Sequence, residues 1–381
     1  MTQIKSSIWK LTRRAISVVP VFVCLFPYAG SAAQSYADYA SSTNAQTELA
    51  YSSINVFGDS LVDAGNLFNL AGIPPSPPYN QKFSNGELWV EPLADELGLS
   101  PTLFTEVISE ALPIEGINFA LAGSLSSDQN VDPQLPGLQQ QIDRFSQFAP
   151  VLPMTSEGLF VLLAGGNDYN RAIANSDVTI ASLEALPNQV TDNLTQAVSD
   201  LVGLGAEHLL VANLPDLGQQ PFAKQLSQFN PQSGSLLTSL SAAHNALLDQ
   251  KLTALSKTSE TKITQLDLNA LFDEIVSNPS GFGFTDTEET CLINFQSGFF
   301  FDGVCDNPDE FVFWDNVHPT DAVHQLIAKE AIEALKENSA EDAESVPEPY
   351  GAIPLLVVGG AVLFGMRSRS ESALLKNQKV L

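Results

Sequence analysis

A protein can attack an ester carbonyl with a hydroxyl, a base to take its proton, and donors for the oxygen that gains charge. Four histidines, His208, His244, His318 and His324, are the candidates for the base. His208 opens an apolar run with Glu207 as its adjacent carboxylate, and His244 lies within a helical stretch. His318 stands in Trp314-Asp315-Asn316-Val317-His318-Pro319. Asp315, three residues earlier, can turn back onto one imidazole nitrogen, fixing the tautomer and leaving the other nitrogen for a nucleophile. His324 falls on the helix that follows and reads as structural. Taken alone, Asp315 and His318 also fit a helix N-cap with a surface histidine.

The nucleophile candidate is Ser60, in Phe57-Gly58-Asp59-Ser60-Leu61. The run Ser53 to Phe57 reads as a strand, and Gly58 permits a sharp turn at its end. The hydroxyl would then stand near a helix N-terminus, whose N–H groups favour negative charge. This is not the Gly-x-Ser-x-Gly elbow. As a bare tetrapeptide it also fits a helix cap. Asn167, in Gly165-Gly166-Asn167-Asp168, offers a side-chain amide to an oxyanion. Gly123, closing Asn118-Phe119-Ala120-Leu121-Ala122-Gly123, offers a backbone N–H. Each of these alone also fits a turn.

The elements that must position these residues alternate. Strands are expected at 53–57, 116–121, 158–164, 208–213 and 262–268. Helices are expected at 88–97, 135–148, 179–204 with a break near Pro187, 236–255 and 321–335. Near-continuous apolar strands alternating with helices predict a parallel sheet covered on both faces, an α/β fold. Ser60, Gly123 and Asn167 each fall just beyond a strand, where open sheets of this class hold their ligand crevice. Residues 281–313 read as a long loop-like insertion with two cysteines and many aromatics. There Phe295, Phe299, Phe300 and Phe301 fit an acyl-binding wall or plain core.

The chain has 381 residues and a formal charge of −27. Between residues 34 and 350 nine basic residues stand against 43 acidic ones, a net −34. Such a surface repels nucleic acid, which is bound through Lys and Arg, and disfavours anionic lipid heads. Cys24 lies in the leader. Cys291 and Cys305 remain as a pair, which in an exported protein reads as a disulfide worth roughly 3 kcal/mol through loop entropy. No histidine lies between them, and the spacing does not suit zinc. Asp302, Asp306 and Asp309 do not follow an EF-hand spacing and read as solvated loop charges. No metal site is expected.

Four blocks together resemble the GDSL family, also called SGNH hydrolases. They are Phe57 to Asn66, Asn118 to Gly123, Gly165 to Asp168, and Asp315 to His318 with Pro319-Thr320. They occur in family order across residues 53 to 336. Where the family often has paired glycines, this chain has Ala122-Gly123. The resemblance implies a three-layer α/β/α, flavodoxin-like sandwich with about five parallel strands and no cofactor. It implies Ser60 as nucleophile and His318 as base, oriented by Asp315. It also implies an oxyanion hole from the Ser60 and Gly123 backbone and the Asn167 amide. Asp59, Asp63 and Asn66 would cap the turn and hold the loop. The expected activity is ester hydrolysis through an acyl-enzyme on a small-molecule, lipid or acylated polysaccharide substrate. A non-catalytic matrix protein on the same scaffold, or an acyltransferase using the same residues, stays open.

The ends carry address labels. Residues 1–33 have a basic start, a short apolar core and the small residues Ala29-Gly30-Ser31-Ala32-Ala33, as in a secretory signal cut by signal peptidase. Residues 34–50 read as a linker, 51–337 as the hydrolase domain and 338–346 as an acidic spacer. Residues 347–381 open with Pro347-Glu348-Pro349 and continue with an uncharged span at 350–366 closed by Arg367 and Arg369. This order resembles a PEP-CTERM sorting signal, which implies an exosortase as processing partner and delivery to the envelope or beyond. A plain tail anchor is the alternative.

Overall fold

The computed structural model describes residues 49–107, 113–150, 157–174, 179–259, 261–296 and 298–345. The leader, most of the linker and the sorting segment lie outside the described residues.

The first half of the chain runs β1 (Ser53–Gly58), α1 (Asn66–Ala71), α2 (Val90–Glu96), β2 (Thr102–Leu103), β3 (Ile117–Asn118), α3 (Leu138–Phe148), β4 (Gly158–Leu163), α4 (Gly166–Ala174) and α5 (Ile180–Gly203). It continues with β5 (His208–Ala212), α6 (Pro221–Ser227), α7 (Ser233–Ser256), β6 (Lys262–Leu266), α8 (Leu268–Ser277) and a single turn α9 (Pro279–Phe282). Four short strands follow, β7 (Asp286–Thr290), β8 (Leu292–Ile293), β9 (Gly303–Val304) and β10 (Phe311–Phe313), before the last helix α10 (Asp321–Ser345).

Six strands form one parallel sheet in the order β2-β3-β1-β4-β5-β6. Every residue of β1 and β4 is buried, as the apolar runs require of strands covered on both faces. Helices α3, α5 and α7 pack in one layer, while α2 and α10 pack together with α10 also against β6. The fold is the expected α/β/α sandwich. Phe57, Phe119, Phe145 and Phe160 interlock at its centre, with Phe57 and Phe119 stacked at 5.3 Å.

Several expectations change in detail. The sixth strand, β2, is two residues long, too short to leave a periodic signal. The strand expected at 116–121 is regular only at Ile117–Asn118, although the Phe119 and Leu121 N–H groups still donate to the Val56 and Gly58 carbonyls of β1 at 2.7 and 3.1 Å. The expected insertion at 281–313 is structured: β7 pairs with β10 in parallel and β8 with β9 antiparallel. Cys291 and Cys305 form a disulfide there. Phe295, Phe299 and Phe301 pack on Tyr79, Leu292 and Trp314 in a second small core, while Phe300 is 71% exposed. The last helix does not stop at 335. Its backbone continues through the expected acidic spacer to Ser345.

Candidate active site

The turn after β1 brings Ser60 into place. Gly58 has φ +150°, and a Cβ there would stand 2.0 Å from the Leu163 carbonyl oxygen on β4. Only glycine allows this approach. The buried Gln141 of α3 accepts from the Gly58 N–H at 2.9 Å and donates to its carbonyl at 2.8 Å. Asp59 then accepts the Leu61 N–H at 3.1 Å, a local turn that lifts Ser60 off the strand axis. Nothing in the spacing of Gln141 announces this clamp.

The next loop is tied to the same turn. The Asp63 carboxylate accepts from the N–H groups of Gly65, Asn66, Leu67 and Ala122. Asn66 donates to the carbonyls of Asn118 and Ala120, both at 2.9 Å. Asn118 donates to the Val62 carbonyl at 2.8 Å. Gly123 is therefore fixed relative to Ser60, in the left-handed region at φ +80°. Asn167 begins α4. Its amide donates to the Ser124 carbonyl at 3.1 Å and lies 3.5 Å from an Asp59 oxygen. Asp59 and Asp63 hold the loop, as the sequence suggests, and Asn66 does so with both ends of its side chain.

His318 reaches Ser60 from the other side. Its Nε2 lies 2.8 Å from the Ser60 Oγ, and its Nδ1 lies 2.8 Å from each oxygen of Asp315. Ser60, Asp315 and His318 are all buried. The turn that carries the pair closes on itself through Trp314 N–H to the His318 carbonyl at 2.8 Å. It is pinned to the insertion by the Leu292 N–H on the Trp314 carbonyl at 3.0 Å.

Two further residues belong to the site. The hydroxyl of Tyr79, 2% exposed, donates to Asp315 at 2.7 Å. The Phe83 ring lies 4.8 Å from that of His318. Both come from a strap over residues 73–87 rich in proline. It is fastened further by Ser84 Oγ donating to the Pro319 carbonyl at 3.0 Å, and by Asp321 N–H donating to Asn85 at 2.8 Å. The proline cluster marks the strap as irregular but does not say what it touches.

Electrostatics separate the carboxylates. Burial acts on Asp315 to raise its pKa. The facing His318, the Val317 N–H and the Tyr79 hydroxyl outweigh it and hold Asp315 below the usual range. Burial and the Asp315 charge push the Tyr79 phenol well above its ordinary value, so it stays a donor. Burial lifts Asp59 to about 7, against the Leu61 N–H and His318 and with help from Asp168 and Asp63. Burial lifts Asp168 to about 6, against the Ser126 donors. Burial lowers His244 and His324 to about 3, so both are neutral. His244 lies 2.9 Å from the Tyr169 hydroxyl, and His324 Nδ1 accepts from the Trp89 N–H at 3.3 Å. Neither touches Ser60.

This arrangement can deprotonate the Ser60 hydroxyl and hold the resulting imidazolium. Among the described residues no three His, Cys, Asp or Glu side chains gather as a metal site, and no helix is long and apolar enough to cross a membrane. Asp302, Asp306 and Asp309 are exposed.

The family model described as GDSL-like Lipase/Acylhydrolase matches residues 54–331. A phosphatidylcholine-sterol acyltransferase of Aeromonas hydrophila is 33% identical over 251 residues, covering 65% of this chain and 67% of that protein. The GDSL esterase/lipase APG of Arabidopsis thaliana is 27% identical, covering 72% of this chain and 88% of its own. A solved lipolytic protein of the G-D-S-L family from Veillonella parvula aligns with a TM-score of 0.36 at 14% identity, covering 74% and 96% of the two chains.

Proposed function

The chain belongs to the GDSL-like lipase/acylhydrolase family, and on that premise we propose that it hydrolyses carboxylic esters through an acyl-enzyme on Ser60. The observation that carries the reading is the continuous Ser60–His318–Asp315 hydrogen-bond chain, each link 2.8 Å. Ser60 Oγ attacks the ester carbonyl while its proton passes to His318 Nε2. Asp315 holds Nδ1–H and stabilises the imidazolium. The tetrahedral oxyanion takes hydrogen bonds from the Ser60 and Gly123 N–H groups and the Asn167 amide. His318 returns its proton to the leaving alkoxide as the C–O bond breaks. Water, deprotonated by His318, then cleaves the acyl-enzyme to acid and free serine.

A second reading has a specific observation behind it. The Aeromonas hydrophila relative is named as an acyltransferase, and an alcohol in place of water would transfer the acyl group with the same residues. A non-catalytic scaffold has no use for a nucleophile, base and carboxylate kept at bonding distance. Export also belongs to this reading. Its support is the basic, apolar and small-residue order of residues 1–33 and the Pro-Glu-Pro, apolar, basic order of 347–381.

The test is turnover of p-nitrophenyl acetate, butyrate and palmitate by the purified chain beside Ser60→Ala. A loss of about a thousandfold or more in the variant is expected. Equal background rates for both proteins, with the fold checked by circular dichroism, would sink the esterase reading. Product analysis with glycerol present separates hydrolysis from transfer. Mass spectrometry of the chain ends from culture medium tests export and processing.

A further inference from the structure

Beyond the catalytic residues the domain keeps one notable concentration of positive charge. Arg144 and Arg171 are the two arginines between residues 34 and 350, a stretch of net −34. They arise 27 positions apart, on α3 and α4, yet both line one open polar groove of about 710 Å³. Lys82, Lys224, Lys251 and Lys336 each face a carboxylate. Neither arginine forms an ion pair with a described residue. Asp128 is the acidic residue in the lining, so the groove is net positive within an acidic surface.

The groove adjoins the loop that carries Gly123. Its wall is the loop that leaves Gly123: Asn130 donates to the Ala122 carbonyl at 3.1 Å, and a Cβ on Gly123 would stand 2.7 Å from the Asn130 Oδ1. Arg171 sits one helical turn after Asn167 on α4 and donates to Gln129 at 3.4 Å. Arg144 lies over the Phe104 ring at 5.2 Å and lines the groove. Leu135, also in the lining, packs in a small cluster with Leu67, Leu121 and Phe83. Phe83 in turn covers the His318 ring. Both guanidinium groups thus line the groove together with Leu135, which packs on the same small cluster as Phe83, the residue over the base.

We propose that this groove receives the phosphate of an amphiphilic substrate, a glycerolipid whose acyl ester reaches Ser60 while its phosphate lies between Arg144 and Arg171. The inference rests on the esterase reading above. A guanidinium pairs with oxyanions through parallel N–H donors, which a lysine cannot reproduce. On a strongly acidic surface such a pair also supplies the local attraction that an anionic substrate otherwise lacks.

The test uses three substrates that differ in one group: dihexanoylglycerol, its hemisuccinate and its 3-phosphate, each assayed for hexanoate release by the full chain. The 3-phosphate is expected to show a KM lower than that of the neutral diacylglycerol by on the order of tenfold. In Arg144→Gln/Arg171→Gln the two KM values should converge, and Arg171→Glu should invert their order. Both arginines are exposed, so their replacement leaves the core alone. A wild-type enzyme that hydrolyses both lipids with the same KM overturns the proposal while leaving the esterase reading standing. So does a preference that survives the double substitution. A hemisuccinate favoured over the phosphate overturns the choice of phosphate. No turnover of any lipid or of p-nitrophenyl butyrate overturns both readings together.

Discussion

Ser60, Gly123 and Asn167 stand at the ends of three parallel strands of the main sheet, whereas Asp315 and His318 stand in a tight turn after a strand of a small side sheet. The first side takes its precision from the sandwich core: β1 and β4 are buried throughout, and the loops above them are laced by Asp63, Asn66 and Gln141. The second side takes its precision from a disulfide, a satellite aromatic core and a proline-rich strap. Sheet ends are hard to move without unfolding the domain. Loop-built walls can be loosened one tie at a time, so the two sides should fail differently.

The largest effect on chemistry is expected from Asp315→Asn. It leaves the shape but loses the charge that holds the imidazolium, so kcat/KM should fall by about 10³–10⁴ with little change in melting temperature. A loss below tenfold would show that the carboxylate does not serve the base. Gly58→Ala attacks the sheet side. Its Cβ would meet the Leu163 carbonyl oxygen at 2.0 Å, and the expected cost is more than about 3 kcal/mol, read as a fall of roughly 10 °C in melting temperature. A variant melting like the wild type would remove the close approach as the reason for glycine.

Opening the second side by Cys291→Ser with Cys305→Ser should cost up to about 3 kcal/mol. Activity should disappear on heating before the far-ultraviolet circular dichroism changes. Coincident loss of both would show that the two sides melt as one unit.

Asp59 sets a pH test for the sheet side. Its folded-state pKa of about 7 lies above the ordinary 3.8, so between these values the folded chain holds a proton that the unfolded chain has released. Stability from this group is therefore present at low pH and lost as pH rises, by roughly 3 kcal/mol from pH 5 to 8. Asp168 acts in the same direction up to about 6. Melting curves of Asp59→Asn across that range should fall less steeply than those of the wild type, and parallel slopes would refute the assignment.

The smallest effect is Tyr79→Phe. Losing one hydrogen bond to a charged group, about 1 kcal/mol, should lower kcat several-fold with KM little changed. The loss should deepen as pH falls, because Asp315 then protonates more readily. A pH-independent deficit would reduce Tyr79 to packing.

Much of the first side was legible in the sequence, because strand periodicity and the turn residues Gly58, Gly123 and Gly165 are local signals. The Asp315–His318 pairing was legible for the same reason, being three residues apart. Tyr79, Phe83 and Gln141 were not, since each acts on a partner between about 80 and 240 positions away and a lone Tyr, Phe or Gln carries no spacing to read. The insertion reads as loop in the sequence because strands of two to five residues are too short to show alternation. The extension of α10 through Glu337 to Ser345 is not legible, because an acidic run reads as solvated spacer, while a helix of that composition needs packing only along its earlier turns.

The satellite core has an optical consequence. Trp314, 2% exposed, shares it with Cys291 and lies 6.1 Å from Tyr79, whereas Trp89 belongs to the main core. Indole emission beside a cystine is quenched by electron transfer to the sulfur pair. One of the two tryptophans in the domain is therefore a dimmed lamp set into the wall behind Asp315, and reduction of the cystine would brighten it while the other keeps its glow.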